Sequence, residues 1–236
     1  MSTILKTSTS AYQDIDSFLV ASDCIIFGFD EKQLKLLLFK RKIEPFKNEW
    51  SLIGSFVKGE ESVQNAANRV LEESTGLTNV FLEELGCYGQ PNRDPGARVI
   101  SMAYFALVRL EEQKEQLTES YEAHWFGVEN IPELILDHNK MVKDALEKLR
   151  RKARYQPIGF ELLPEKFTIP KLKFLYDSIY QTEFDRRNFR KKILSMNILK
   201  KLEEKDKTTS RKGAFLYQFD LKKYKEFVGK GFNFVL

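Results

Sequence analysis

The sequence predicts an α/β sandwich built on a mixed sheet, followed by a small α+β unit, and three observations predict it. Apolar, β-rich runs alternate with amphipathic helical stretches up to about residue 154. The charge then changes sign: residues 1–150 carry 17 Lys and Arg against 24 Asp and Glu, and residues 151–236 carry 21 against 10. The last part reads as helix, short turn, basic helix and hairpin. The net charge of +4 therefore hides an acidic unit joined to one of +11, and the basic unit points to a polyanionic partner, of which nucleic acid is the commonest.

Residues 1–16 are polar and are expected to be a flexible N-terminus; the first domain is placed at 17–154. Residues 20–29 and 34–40 are strands of a hairpin around the polar break Asp30-Glu31-Lys32-Gln33. Residues 50–57 form a further short strand, and residues 62–75 a helix with Val63, Ala66, Ala67, Val70 and Leu71 towards a core and Gly76 closing it. Two more strands follow at 79–88 and 98–108. A helix at 137–155 presents Met141, Val142, Ala145, Leu146 and Leu149 at helical spacing and ends in Lys148, Arg150, Arg151 and Lys152.

Pro157 biases Gln156 away from helix, so the second domain is placed at 155–236. Thr168 caps a helix that tolerates Pro170 in its first turn and buries Leu172, Leu175 and Ile179. Asp185 caps a second helix, with Phe189 and Ile193 inward and basic residues outward. Residues 199–202 and 215–219 then flank the hydrophilic tract 203–212. That order is the plan of a winged helix-turn-helix, in which the second helix enters the major groove of double-stranded DNA. The candidate DNA-binding residues are Arg186, Arg187, Asn188, Arg190 and Lys191 on the helix, with Lys207, Arg211 and Lys212 at the hairpin tip on phosphate or minor groove. An RNA-binding surface is the alternative for the same residues.

Cys24 and Cys87 both read as buried packing residues, and with only His124 and His138 beside them no zinc site or disulfide framework is indicated. No signal-peptide core and no run of membrane-spanning length is present, so a cytoplasmic location is expected, with no membrane partner.

Residues 55–77 resemble a Nudix box, G-x5-E-x7-R-E-U-x-E-E-x-G-U with U aliphatic. Glu61, Arg69, Leu71, Glu73, Gly76 and Leu77 match, whereas Ser55, Val70 and Ser74 replace the first Gly and two of the three helix carboxylates. Positions 70, 73 and 74 stand i, i+3, i+4 and would converge on a divalent cation, which needs oxygen ligands. With Glu73 left beside Ser74 as a weak neutral ligand, no enzyme activity, metal or cofactor is expected.

Together with the loop 92–101, the junction 156–164 and the helix at 185–191, the box makes the chain similar to the Nudix-related transcriptional regulators. The resemblance implies a Nudix-like α/β/α sandwich that binds a small-molecule effector, a winged-helix DNA reader, and a homodimer controlling a catabolic operon. Some members respond to ADP-ribose; the Arg-Val-Leu box and Arg-Asp-Pro loop look closer to a branch responding to L-arabinose or related pentoses. Candidate effector residues are Lys40, Arg41, Lys58, Glu61, Glu73, Asp94 and Arg98, with Arg69 beside them and Trp50 or Trp125 as a stacking wall. Asp94 and Glu61 would repel a pyrophosphate, which favours a sugar over ADP-ribose. The alternatives are an ADP-ribose-responsive regulator and an active pyrophosphohydrolase with an appended nucleic-acid module.

Overall fold

The computed structural model describes residues 14–30, 32–78, 80–110, 123–208 and 212–230. The first part contains β1 (Leu19–Phe29), β2 (Leu34–Lys40), β3 (Trp50–Ser51), β4 (Ile53–Phe56), α1 (Val63–Thr75), β5 (Phe81–Tyr88), β6 (Val99–Arg109), β7 (Ala123–Gly127) and α2 (His138–Tyr155). Its strands form one mixed sheet in the order β3-β2-β1-β6-β5, with β4 on β1 and β7 on β2. β1 is the hub: it runs parallel to β6 along its whole length and antiparallel to β4 and β2 over its first and second halves.

A strand in that position is covered on both faces, and its near-continuous apolar run follows from this. Cys24 and Ile26 face α1, while Ile25 and Phe27 lie in the cluster that α2 covers with Met141, Val142, Ala145 and Leu149. Burial pushes the Cys24 thiol up to about 12. Cys87 departs from the expectation of burial: it is exposed, because it follows a register shift in the edge strand β5.

The second part holds a 3-10 turn (Ile158–Leu162), β8 (Phe167–Thr168), α3 (Ile169–Tyr180), α4 (Arg186–Ser195), β9 (Leu199–Asp206), β10 (Ala214–Phe219) and α5 (Leu221–Gly229), with a three-stranded sheet ordered β8-β10-β9. Side-chain caps start four helices: Ser62 for α1, Thr168 for α3, Asp185 for α4 and Asp220 for α5 each accept from a backbone N–H. Pro157 follows the extended Gln156 at the end of α2. The apolar interior does not stop there. Ile25, Phe27 and Phe105 of the first part share one buried cluster with Phe160, Leu172, Leu175, Tyr176 and Ile193 of the second.

Three local features differ from expectation. The strand at 50–57 breaks at Leu52, whose N–H donates to the ring of His138 instead of a neighbouring strand. β7 and α5 are additional elements, and β9 runs on through Glu203 and Glu204 to Asp206. That extension leaves a shorter wing tip, with Lys207 and Lys212 exposed on either side of it; Arg211 lies outside the described residues.

Candidate functional site

At the start of α1 the box residues bind one another. The Arg69 guanidinium donates through Nε (3.0 Å) and Nη2 (2.6 Å) to the two carboxylate oxygens of Glu61, through Nη1 to Glu73 (3.2 Å) and through Nη2 to the Phe56 carbonyl (3.2 Å). Glu61 also accepts the Lys58 N–H at 2.9 Å. These hydrogen bonds, Arg69 first, hold the Glu61 carboxyl down at about 2, and Glu61 in turn raises the Arg69 guanidinium.

Positions 70, 73 and 74 do not share one exposed face. Val70 and Ser74 are buried against the sheet, and the Ser74 hydroxyl donates to the Val70 carbonyl, so it is not available as a ligand. Glu73 is 60 % exposed and turned towards Arg69. The residues present do not fit a divalent cation: two of the three positions form the underside of the helix, and the third is already neutralised.

The other candidate residues are held by local contacts. Asp94 accepts the Gly96 N–H at 2.8 Å, Arg98 donates to the Gln90 carbonyl at 3.3 Å and lies over the Phe18 ring, and Lys40 lies over Trp50. Arg41 donates to the Pro45 and Ile43 carbonyls. Trp50 meets His124 and Phe126 edge-on, and Trp125 packs on the α1 side of the sheet. None of the seven effector candidates lines the cavity beside α2.

That cavity, of ≈ 840 Å³, opens between α2, the end of β5 and the loop that follows it. Phe46 and Tyr88 give it aromatic walls, Gln90 and Asn92 give neutral polar groups, and Lys140, Lys148 and Arg151 give cations along α2. Tyr88 donates to Asp144 at 2.8 Å, and burial followed by that carboxylate raises its phenol. Arg93, whose side chain is 3 % exposed, forms part of the cavity wall. It forks onto Asp137 through Nε (3.0 Å) and Nη2 (2.7 Å) and reaches Asp23 at 3.5 Å.

Asp23 also accepts the Ser101 hydroxyl at 2.6 Å. A Cβ on residue 54 would stand 2.0 Å from an Asp23 oxygen, which is why that position is glycine. Next to Asp137, His138 accepts the Leu52 N–H on Nδ1 (3.2 Å), and burial lowers its pKa. Sequence reasoning missed Arg93, Asp137 and Asp23, because their partners lie 44 to 70 residues apart and no local pattern announces them.

In the second part, Asp185 accepts the Asn188 N–H at 2.8 Å and so starts α4. Phe189 and Ile193 are buried beneath it, while Arg186, Arg187, Asn188, Arg190 and Lys191 are exposed. Among the described residues none of those four cations has a carboxylate partner. The sequence-predicted helix residues are thus brought onto one element with free charges.

Comparison with known proteins matches residues 18–147 to the NUDIX domain and residues 159–219 to the NrtR DNA-binding winged helix domain. The ADPR responsive transcriptional repressor NtrR of Acinetobacter baylyi is 30% identical over 215 residues, covering 89% of this chain and 86% of its own. The ADP-ribose pyrophosphatase of Methanocaldococcus jannaschii is 41% identical over 119 residues, covering 50% of this chain and 70% of its own. Among solved structures, Shewanella oneidensis NrtR complexed with a 27mer DNA superimposes with a TM-score of 0.76 at 26% identity, over 85% of this chain and 93% of that one.

Proposed function

The chain belongs to the NUDIX family, in the form that joins this domain to an NrtR-type DNA-binding winged helix, and from that premise we propose that it is a transcriptional repressor that senses ADP-ribose without hydrolysing it. One observation carries the reading: two of the three box positions that would hold a catalytic metal, Val70 and Ser74, are packed into the core, in a chain whose second part presents unpaired cations on a DNA-reading helix. A pure sample should give no magnesium-dependent turnover of ADP-ribose. Multiple turnovers abolished by Glu73→Gln would instead make it the pyrophosphohydrolase that the Methanocaldococcus relative is named for.

The pentose preference gives way to ADP-ribose. It rested on the box and loop resemblance and on repulsion between Glu61 or Asp94 and a pyrophosphate, but Glu61 and Glu73 are offset by Arg69, and Asp94 does not line the cavity beside α2. The Acinetobacter relative is named as ADPR responsive and the Methanocaldococcus relative as an ADP-ribose pyrophosphatase, which supports ADP-ribose here. We place the effector in the cavity beside α2, where Tyr88 or Phe46 offers a face for adenine and Arg151, exposed and without a carboxylate partner among the described residues, offers a charge for phosphate.

A ligand there touches both ends of a lever. Arg93 and Asp137 tie the cavity wall to the first turn of α2, and further along the same helix Arg150 donates to the Ile179 carbonyl and to Gln181 at the end of α3. A shift of α2 therefore moves the DNA-reading part as a body, since the two share one core. In a homodimer this changes the spacing of two reading helices against half-sites one helical turn apart.

The test is operator binding titrated with ADP-ribose. Linkage requires that ADP-ribose and DNA alter each other's affinity by the same factor, commonly about 5–150-fold. Arg151→Gln and Tyr88→Leu should reduce the response and leave ligand-free DNA binding intact. Loss of response in Asp94→Ala or Arg98→Ala, with Arg151→Gln unaffected, would move the site to the α1 end of the sheet.

A further inference from the structure

The wing carries two lysines that the DNA-reading helix does not explain. β9 and β10 pair Lys205 with Phe215 and Lys201 with Tyr217, so three intervening residues of β9, Leu202, Glu203 and Glu204, stand against one of β10, Leu216. The extra residues bulge out, which draws Lys201 and Lys205 together over a single ring. Their Nζ atoms lie 3.7 and 4.5 Å from the centroid of Phe215.

The ring is anchored, because Phe215 is half-buried against the core cluster; both lysines are exposed. Neither has a carboxylate partner among the described residues. The acids of the same strand are used elsewhere: Glu204 holds Lys166 at 2.7 Å and Asp206 reaches Lys171 at 3.9 Å. Glu203, inside the bulge, forms an ion pair with neither lysine.

Two like charges on one ring repel each other, and the aromatic face offsets that only in part. A phosphate beside them relieves the repulsion and accepts from both. We infer that Lys201 and Lys205, held on Phe215, form a preorganised grip for the DNA sugar-phosphate backbone, with Phe215 as its positioning residue. The inference rests on the reading of this part of the chain as DNA-binding and adds a contact set on the strand of the wing, away from its tip.

A backbone grip carries no sequence information and shows itself in salt dependence. The experiment is duplex binding over a series of potassium chloride concentrations, with operator and unrelated DNA, using the full chain. Lys201→Gln and Lys205→Gln, both at exposed positions, should weaken both duplexes by the same factor and each lower the salt slope by about 1. Phe215→Leu keeps both charges yet should weaken binding roughly two- to five-fold for each lysine released from the ring. Phe215→Tyr, which keeps an aromatic face, should bind as wild type does.

Unchanged affinity and slope in both lysine variants would overturn the grip. Equal behaviour of Phe215→Leu and Phe215→Tyr would overturn the positioning role while the lysine contacts stood. Should the wild-type chain bind no duplex at all, the DNA reading itself fails, and the grip with it.

Discussion

Several cations of the first part are held in ion pairs, and those exposed on α4 and the wing are not, among the described residues. Lys35 meets Asp30, Arg69 meets Glu61 and Glu73, Arg93 meets Asp137 and Asp23, and Lys148 and Lys152 both meet Glu83. In the second part Lys166, Lys171 and Lys173 have acidic partners, but the run from Arg186 to Lys192 and the wing lysines Lys201, Lys205, Lys207 and Lys212 have none among the described residues. A paired cation is fixed by the fold and its removal is felt in stability. An unpaired one is a solvated charge whose removal is felt when a polyanion arrives. The contrast separates architecture from function within one residue type.

The largest effect that would break this contrast lies at Arg93. Arg93→Met leaves Asp137 and Asp23 without their shared partner in a buried setting, and removal of one member of a buried pair costs about 3–5 kcal/mol. Denaturant unfolding should show that loss, and Arg93→Lys should recover only part of it, because an ammonium cannot reproduce the two-pronged contact. A loss below about 1 kcal/mol would place Arg93 among ordinary surface charges.

The matching experiment on the other side is smaller in energy and opposite in kind. Arg187→Ala and Asn188→Ala should leave stability within about 0.5 kcal/mol, since both side chains are exposed and unpaired. They should lower discrimination of the operator from mismatched duplexes by about 1–3 kcal/mol, whereas Lys212→Ala should weaken all duplexes alike. If the helix variants bound the natural operator as wild type does, the recognition helix would be misassigned.

The two regions also differ in how far the sequence disclosed them. α4 was legible because everything that builds it is local: Asp185 caps it, Phe189 and Ile193 recur at helical spacing, and the remaining residues are basic. α1 was legible for the same reason, from Ser62 to Gly76. The spacing of positions 70, 73 and 74 was read correctly as one stretch of helix. Val63, Ala66, Ala67, Val70 and Leu71 do face the core as their spacing suggests; the burial of Ser74 beside them was not legible, because it depends on where β1, β4 and β6 lie.

The Arg93 cluster is the extreme case. Its members come from β1, the loop after β5, β6 and the start of α2, and only the assembled sheet puts Asp23 and Asp137 on either side of one guanidinium. Asp94 and Arg98 were chosen from the same loop because they look polar in a turn; the residue just before Asp94 is the buried one. β7 went unread for a similar reason, since Ala123–Gly127 is five residues long and its apolar partners are on β2.

The smallest effect sharpens the comparison inside the paired region itself, where His138 sits next to Asp137 yet is kept neutral. Its Nδ1 accepts the Leu52 N–H, and burial disfavours the imidazolium, so its pKa falls below the ordinary 6.5 in spite of Asp23 and Asp137 nearby. Above pH 6.5 both folded and unfolded states hold a neutral ring, and its contribution to stability is complete. As the pH falls below 6.5 the unfolded chain takes up a proton that the folded chain resists, so stability declines until the folded pKa is passed. For one proton the slope is at most about 1.4 kcal/mol per pH unit. Carboxylates such as Glu61, held down at about 2 from 4.5, lose their contribution in a separate window at lower pH. His138→Gln, which retains an oxygen acceptor for the Leu52 amide, should therefore flatten the urea midpoint between pH 6.5 and about 5 without altering the drop below it. Equal slopes for wild type and variant across that interval would mean that the fold does not lower the pKa of this imidazole.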